Sequence, residues 1–315
     1  MSVHSADVIV PSGGLDCAAT LFHPTGVAGP LPGVVLGNGF ANVRQMSLPS
    51  YAAAFAAAGF AALTLDYRYL GGSTGTPRQQ VLPEAQCDDL RNAITWLSER
   101  PEVDARRIAL WGTSFAGGHA LRIAAVDRRV AAVVAQVPAI GLWRYLRRLD
   151  REARERFLAT ALADRLTYQR TRRARRLAIT AEAGTESLLG PRGLDWHRRN
   201  EQDHDTFHNW IAAHSLDAIA TYDPGAFVED ISPTPVLMIL VDDDATTPTD
   251  VACAVYDRMR EPKRVVTLHG GHYDVYDVPA VRDACIAAAT GFLTDQLRPA
   301  PQAAGPVTGI PGSRA

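Results

Sequence analysis

The stretch RIALWGTSFAGGHAL, residues 107–121, carries an apolar run straight into a serine fenced by small residues. Residues 107–111 read as a buried strand, and a small-residue helical pattern begins at Ala116. Small residues alone would let a helix pack tightly on a sheet. A sharp strand-to-helix turn has a second use: it holds a serine in a strained conformation, with its hydroxyl exposed above the sheet. A serine hydroxyl is a weak nucleophile at neutral pH, so the chemical reading stands only if the chain also supplies a base and an orienting acid.

Working outward, residues 6–23 read as a hairpin turning at Ser12–Gly14. LPGVVLG (31–37) is a continuous apolar run, the mark of a strand buried on both faces of a parallel sheet. A helix ending at Gly59 follows, then a strand at 61–67, a helix at 84–99, the strand before Ser114, a helix at 116–126 and a strand at 130–137. This alternation predicts an α/β fold, a mostly parallel doubly wound sheet with helices on both faces. The rhythm breaks at about 141–230, where arginine-rich, largely helical sequence contains no convincing strand. It resumes with strands at 235–241 and 264–270 and helices at 249–259 and 278–297. The expected organisation is a core of residues 1–140 and 231–298, a helical cap at 141–230, and a Pro/Gly/Ala-rich tail at 299–315 expected to be disordered.

In a doubly wound sheet, reactive groups belong on loops at the carboxyl ends of strands. Ser114 follows one strand; Asp242, Asp243 and Asp244 follow PVLMILV; His269 and His272 follow RVVTL. Each has an ordinary alternative, as tight packing, a solvated turn or a loop histidine. Serine, then aspartate, then histidine, on three separate strand ends, is the order of the α/β-hydrolase triad. The glycine-rich turn after residues 31–37 adds backbone N–H groups at Phe40 which, with that of Phe115, are candidate oxyanion donors.

Longer segments carry a resemblance: GNGFANVRQMSLPSYAAAFAAAGF, LDYRYLGGSTGTPRQQ, WLSERPEVDARRIALWGTSFAGGHAL, DRRVAAVVAQVP, ISPTPVLMIL and GGHYDVYD. With these the chain resembles α/β-hydrolases akin to polyketide transferases and thiohydrolases, themselves related to peptidase S15 and cocaine-esterase-like hydrolases. The resemblance implies Ser114 as nucleophile, His272 of the GGH string as base, and Asp244, four residues before Pro248, as acid. It implies Phe40 as the oxyanion residue. Three departures stand out. Asn38 replaces the usual histidine, Ala116 replaces the elbow's second glycine, and Phe40 lacks the tyrosine hydroxyl of the cocaine-esterase-like members. An oxyanion hole of backbone amides alone is therefore expected.

The activity so implied is that of a cofactor-independent serine hydrolase acting on an ester or thioester, coenzyme A- or carrier-protein-bound acyl groups included. The same triad would serve an acyltransferase or cyclase of polyketide biosynthesis, and a non-catalytic binding protein of this fold is a third reading. The formal net charge of −2 argues against a nucleic-acid partner. The four cysteines show no CxxC spacing, so neither a disulfide framework nor a zinc ribbon is indicated. The start lacks a secretory signal pattern and no apolar run reaches membrane-spanning length, so a cytoplasmic protein with no membrane partner is expected. Any oligomer is expected to be a dimer.

The loop LDYRYLGGSTGTPR (65–78) lacks the phosphate-binding GxxxxGK[ST] string and is read as structural, with Asp66 pairing to Arg68. Tyr67 and Tyr69, with Trp143 of the cap, are candidate substrate-bordering residues. His204 and His208 stand in HDTFH rather than HExxH, so no metal site is expected. Arginines crowd between Arg144 and Arg176, which reads as solvated helix faces ahead of a basic surface for an anionic carrier.

Overall fold

Apolar runs that alternate with helical periods can bury both faces of a sheet only if the helices divide between them. The computed structural model, which describes residues 2–27 and 29–297, has that arrangement. The chain opens with a hairpin of β1 (Val3–Ser12) and β2 (Leu15–Pro24), then runs through β3 (Leu31–Gly37), α1 (Leu48–Ala57) and β4 (Ala61–Leu65). It continues with α2 (Pro83–Ser98), β5 (Val103–Thr113), α3 (Phe115–Val126) and β6 (Val130–Gln136). A segment containing α4 (Leu142–Leu146), α5 (Arg151–Thr171), β7 (Arg176–Ala178), α6 (Leu194–Asp203), β8 (Trp210–Ala212), α7 (Ser215–Thr221) and a 3-10 turn at Pro224–Asp230 intervenes. The sheet is completed by β9 (Val236–Asp243), α8 (Thr249–Arg258), β10 (Lys263–Gly271), the short α9 (Asp274–Asp277) and α10 (Pro279–Gln296).

Eight strands form one sheet in the order β1-β2-β4-β3-β5-β6-β9-β10. The pairings from β4 to β10 are parallel, and the hairpin joins them antiparallel through β2. The period of two is visible in the packing. Val35, Leu110, Val133 and Met238 face one core with α2, α3 and α8. Their neighbours Leu36, Trp111, Val134 and Ile239 face the other with α1 and α10. At roughly 1.5–3 kcal/mol for each large apolar side chain buried, this two-sided burial fixes the register, because a one-residue slip would exchange the two faces.

Two expectations need correction. The intervening segment does contain strands: β7 and β8 pair antiparallel as a two-stranded sheet. Each is three residues long, too short for a period of two to declare itself. Asp66 does not pair with Arg68. It is buried against Arg44, whose Nη1 lies 2.6 Å from Oδ2, while Arg68 donates Nε–H to Asp89 at 2.7 Å. The strand ends at Leu65 and the chain turns at Arg68, so the two side chains diverge and each meets a partner from an element remote in sequence. The expected tail at 299–315 lies outside the described residues. Among the described residues no helix is long and apolar enough to cross a membrane.

A buried polar network joins the intervening segment to the core. His119 of α3 sits between Tyr222 (Nδ1 to hydroxyl, 2.7 Å) and Gln86 of α2 (Nε2 to Oε1, 3.0 Å). Burial, with some repulsion from Arg122, pushes its imidazole down to about 3 from the ordinary 6.5. His197 of α6, likewise buried, is pushed down to about 4. Both stay neutral in the folded protein while the unfolded chain binds protons below pH 6.5. Stability is therefore full above that value and lost as pH falls towards the folded values, by about 1.4 kcal/mol per pH unit for each such histidine. Exposed His269, raised by Asp242, acts weakly in the opposite sense. The melting midpoint is expected to be flat above about pH 7 and to fall steadily between pH 6.5 and 4.5, less steeply in His119→Gln. Equal slopes in the two proteins would remove His119 from the account.

Candidate active site

Ser114 occupies the single residue between β5 and α3, with φ 53° and ψ −116°. That left-handed φ is unfavourable for a residue with a Cβ, by about 1–3 kcal/mol, and persists only where the surroundings fix it. Here they do. The Ser114 N–H donates to the Gln136 carbonyl at 2.9 Å, and its own carbonyl accepts from Ala139 N at 2.8 Å and Gly117 N at 3.0 Å. The Ala116 methyl, where the resemblance calls for glycine, is accommodated by Gly37 across the turn, where a Cβ would stand 2.8 Å from it.

His272 and Asp244 converge on this serine from the ends of β10 and β9. The Ser114 hydroxyl lies 3.1 Å from His272 Nε2, and His272 Nδ1 lies 2.7 Å from Asp244 Oδ2. All three residues are at most 8 % exposed. A carboxylate can only accept, so Nδ1 carries the ring proton and Nε2 presents a lone pair to the serine. Asp244 is itself held: Oδ1 accepts from Thr246 N (2.9 Å) and Thr247 N (2.6 Å), and Oδ2 from the Thr247 hydroxyl (2.8 Å). The other two aspartates are exposed, and Asp242 bonds to exposed His269 at 2.9 Å. Thr247, invisible to spacing rules, is a fourth member of the cluster.

The loop after β3 passes alongside. The Asn38 amide closes it from within, donating to the Val43 carbonyl at 2.5 Å while Oδ1 accepts from Gly39 N at 2.9 Å. The position a Cβ on Gly39 would take lies 3.4 Å from Ser114 Cβ and 2.9 Å from Asn42 Nδ2. This brings the Phe40 turn and the Asn42 amide beside the serine. Phe115, as first residue of α3, carries one of the N–H groups a helix leaves without an intrahelical acceptor. The rings of Phe40 and Phe115 meet edge-to-face at 5.2 Å. Asn42 Oδ1 is buried with no hydrogen-bond partner among the described residues.

Ser114 and His272 open onto a cavity of about 130 Å³. Its walls include Phe40, Phe115, Leu142, Tyr145, Ile179, Leu189, Trp196 and Ile219. Among the described residues, no Asp, Glu, Lys or Arg lines it. Tyr67, Tyr69 and Trp143 are not among its lining residues. Tyr67 is fully buried against His119, their rings 6.0 Å apart, and the Tyr69 ring packs against Gly75, where a Cβ would stand 2.4 Å from Cδ1. Trp143 lies on α4 between two residues that do line the cavity, Leu142 and Tyr145, which share a face at i and i+3. Membership of the cavity wall in the intervening segment follows from how its helices rotate, and nothing in their spacing signals it.

The family profile described as X-Pro dipeptidyl-peptidase (S15 family) matches residues 13–274. The quorum-quenching protein AidA of Acinetobacter baumannii is 31 % identical over 274 residues, covering 86 % of this chain and 88 % of that protein. A thiohydrolase of Eupenicillium brefeldianum is 29 % identical, covering 78 % of this chain and 80 % of that protein. The crystal structure of the α/β-hydrolase GrgF from Penicillium superposes with a TM-score of 0.82 at 28 % identity, covering 93 % of this chain and 99 % of that one. The sheet and its flanking helices thus have the α/β-hydrolase architecture.

Proposed function

The chain belongs to the S15 family described as X-Pro dipeptidyl-peptidase, and from that premise we propose that it is a serine hydrolase cleaving uncharged carboxylic esters or thioesters. The observation that carries this reading is the unbroken hydrogen-bond chain Ser114–His272–Asp244 at the wall of an apolar cavity. Ser114 Oγ attacks the carbonyl carbon while its proton passes to His272 Nε2, and Asp244 holds the Nδ1–H and stabilises the imidazolium. The oxyanion accepts from the backbone N–H groups of Phe40 and Phe115, with the Asn42 amide as a third donor within reach. The C–O or C–S bond then breaks as His272 returns the proton to the leaving alcohol or thiol. Water repeats the sequence on the acyl-enzyme and regenerates the Ser114 hydroxyl.

The cavity argues for an ester over a dipeptide. A dipeptidyl-peptidase must seat the α-ammonium of its substrate, and an unpaired charge is costly in a site without a carboxylate. The lining offers none among the described residues. A fluorophosphonate probe is expected to label Ser114 alone, and p-nitrophenyl acetate to leave a transient acetyl group on the same serine, both read by peptide mass spectrometry. A folded protein inert to both reagents would overturn the reading.

Acyl transfer is a second reading, favoured by a Penicillium relative named polyketide transferase, 31 % identical over 253 residues. The acyl-enzyme would be common to both, and an alcohol or amine would replace water. Product analysis with and without an added alcohol separates the two.

The arginines of the intervening segment support the ordinary reading of that surface. Arg144 pairs with Asp223, Arg148 with Asp250, Arg165 with Asp217, and Arg175 with Asp164 and Glu186. Several of those acids come from outside the basic run. Charge reversal of Arg147 and Arg148 together is expected to change KM for acetyl-coenzyme A by less than about twofold, as for a neutral ester. A selective rise for the thioester that fades at high salt would assign the surface to anionic carriers.

A further inference from the structure

Among the described residues, His197 is the one buried histidine lining the cavity that the acyl-transfer chemistry leaves unused. It lies on α6, 3 % exposed, with its ring between Trp196 (centroids 5.0 Å), Tyr273 (5.8 Å) and Phe207 (6.0 Å). Tyr273 directly follows the proposed base, and its ring is 5.2 Å from that of His272. The start of α6 is seated on the same tyrosine, since a Cβ on Gly193 would fall 2.2 Å from Tyr273 Cζ.

The tautomer of this ring follows from its one hydrogen bond. Nδ1 lies 2.8 Å from the Gly193 carbonyl, which can only accept, so Nδ1 carries the proton. Burial, assisted by His272, holds the imidazole neutral at physiological pH. Nε2 is then a bare lone pair, with no partner among the described residues, on a residue lining a cavity whose other walls are mainly hydrocarbon. A purely hydrocarbon acyl chain would cover that acceptor and leave it unpaired. A chain with a well-placed donor would satisfy it.

We infer that His197 Nε2 forms a recognition subsite for a neutral hydrogen-bond donor on an otherwise apolar substrate chain, a hydroxyl or an amide N–H. The inference rests on the ester-hydrolase reading and names the substrate class within it. Water supplies a competing partner before binding, so what the subsite provides is discrimination: the hydroxylated or amide-bearing substrate is preferred over its plain analogue, because the latter strands a buried acceptor.

The test uses p-nitrophenyl esters of straight-chain acids from butanoate to octanoate, with a hydroxyl walked along the chain. A parallel series of N-acylglycine esters is compared with its N-methyl counterparts. The folded wild-type enzyme is expected to prefer one hydroxyl position, or the N–H over the N-methyl series, by about tenfold in kcat/KM. The arm that responds identifies the donor. His197→Phe should abolish that preference, read as the ratio of kcat/KM between paired substrates within the variant, and His197→Gln, which keeps an acceptor near the Nε2 position, should recover part of it. Melting curves show that each variant is folded. Turnover of all esters with the same ratios in wild type and His197→Phe overturns the subsite alone. A folded wild-type protein that turns over none of them overturns the ester-hydrolase reading and the subsite with it.

Discussion

Ser114→Ala is expected to lower kcat/KM towards p-nitrophenyl esters by at least about 10³-fold and to leave the fold intact. The hydroxyl makes one hydrogen bond, to His272 Nε2, so its removal strands no other group. The backbone strain at φ 53° is the same for alanine as for serine. A glycine separates chemistry from stability. Ser114→Gly should be equally inactive, yet more stable than Ser114→Ala by about 1 kcal/mol, because only a residue without Cβ occupies that region freely. Near-wild-type turnover by folded Ser114→Ala would sink the assignment of nucleophile. Equal stability of the two variants would show that the turn is not strained.

Much of the core was legible because its signals are local. Residues 31–37 and 61–67, and the helices following them, announce themselves through apolar runs, and the observed bounds differ from the expected ones by at most two residues. The cluster at the strand ends was legible too, since topology gathers Ser114, the β9 aspartates and the β10 histidines whatever their distance in sequence. What failed depends on tertiary partners. The pairing of Asp66 with Arg44, the orientation of Tyr67 away from the cavity, and the inclusion of Asn42, Thr247 and His197 are set by which surfaces meet. Between residues 141 and 230 the sequence signals helices but not their rotation, so Tyr145 and Trp143 could not be told apart. The crowded arginines read as solvated faces, but the acids that pair with several of them, Asp217, Asp223 and Asp250, are distant in sequence and were not legible.

Asp244→Asn should cost about 10³- to 10⁴-fold in kcat, whereas Asp242→Asn and Asp243→Asn should stay within about threefold of wild type. The loop itself decides how the new amide sits. Oδ1 accepts two backbone N–H groups, at 2.9 and 2.6 Å, and an amide nitrogen cannot replace it there without setting donor against donor. Asparagine must therefore keep its carbonyl oxygen towards Thr246 and Thr247 and turn its NH₂ towards His272. The imidazole then has a donor where it had an acceptor, so Nδ1 gives up its proton and Nε2 takes one. A protonated Nε2 cannot receive the Ser114 proton, and the first step stalls with the fold and KM little changed. Asp242 is bonded instead to exposed His269, and losing that contact leaves the His272 tautomer untouched. Measured on folded protein, a worst defect at Asp242 or Asp243 would move the acid to that position. Near-wild-type kcat in Asp244→Asn would mean that Thr247, 3.1 Å from Nδ1, fixes the imidazole without it.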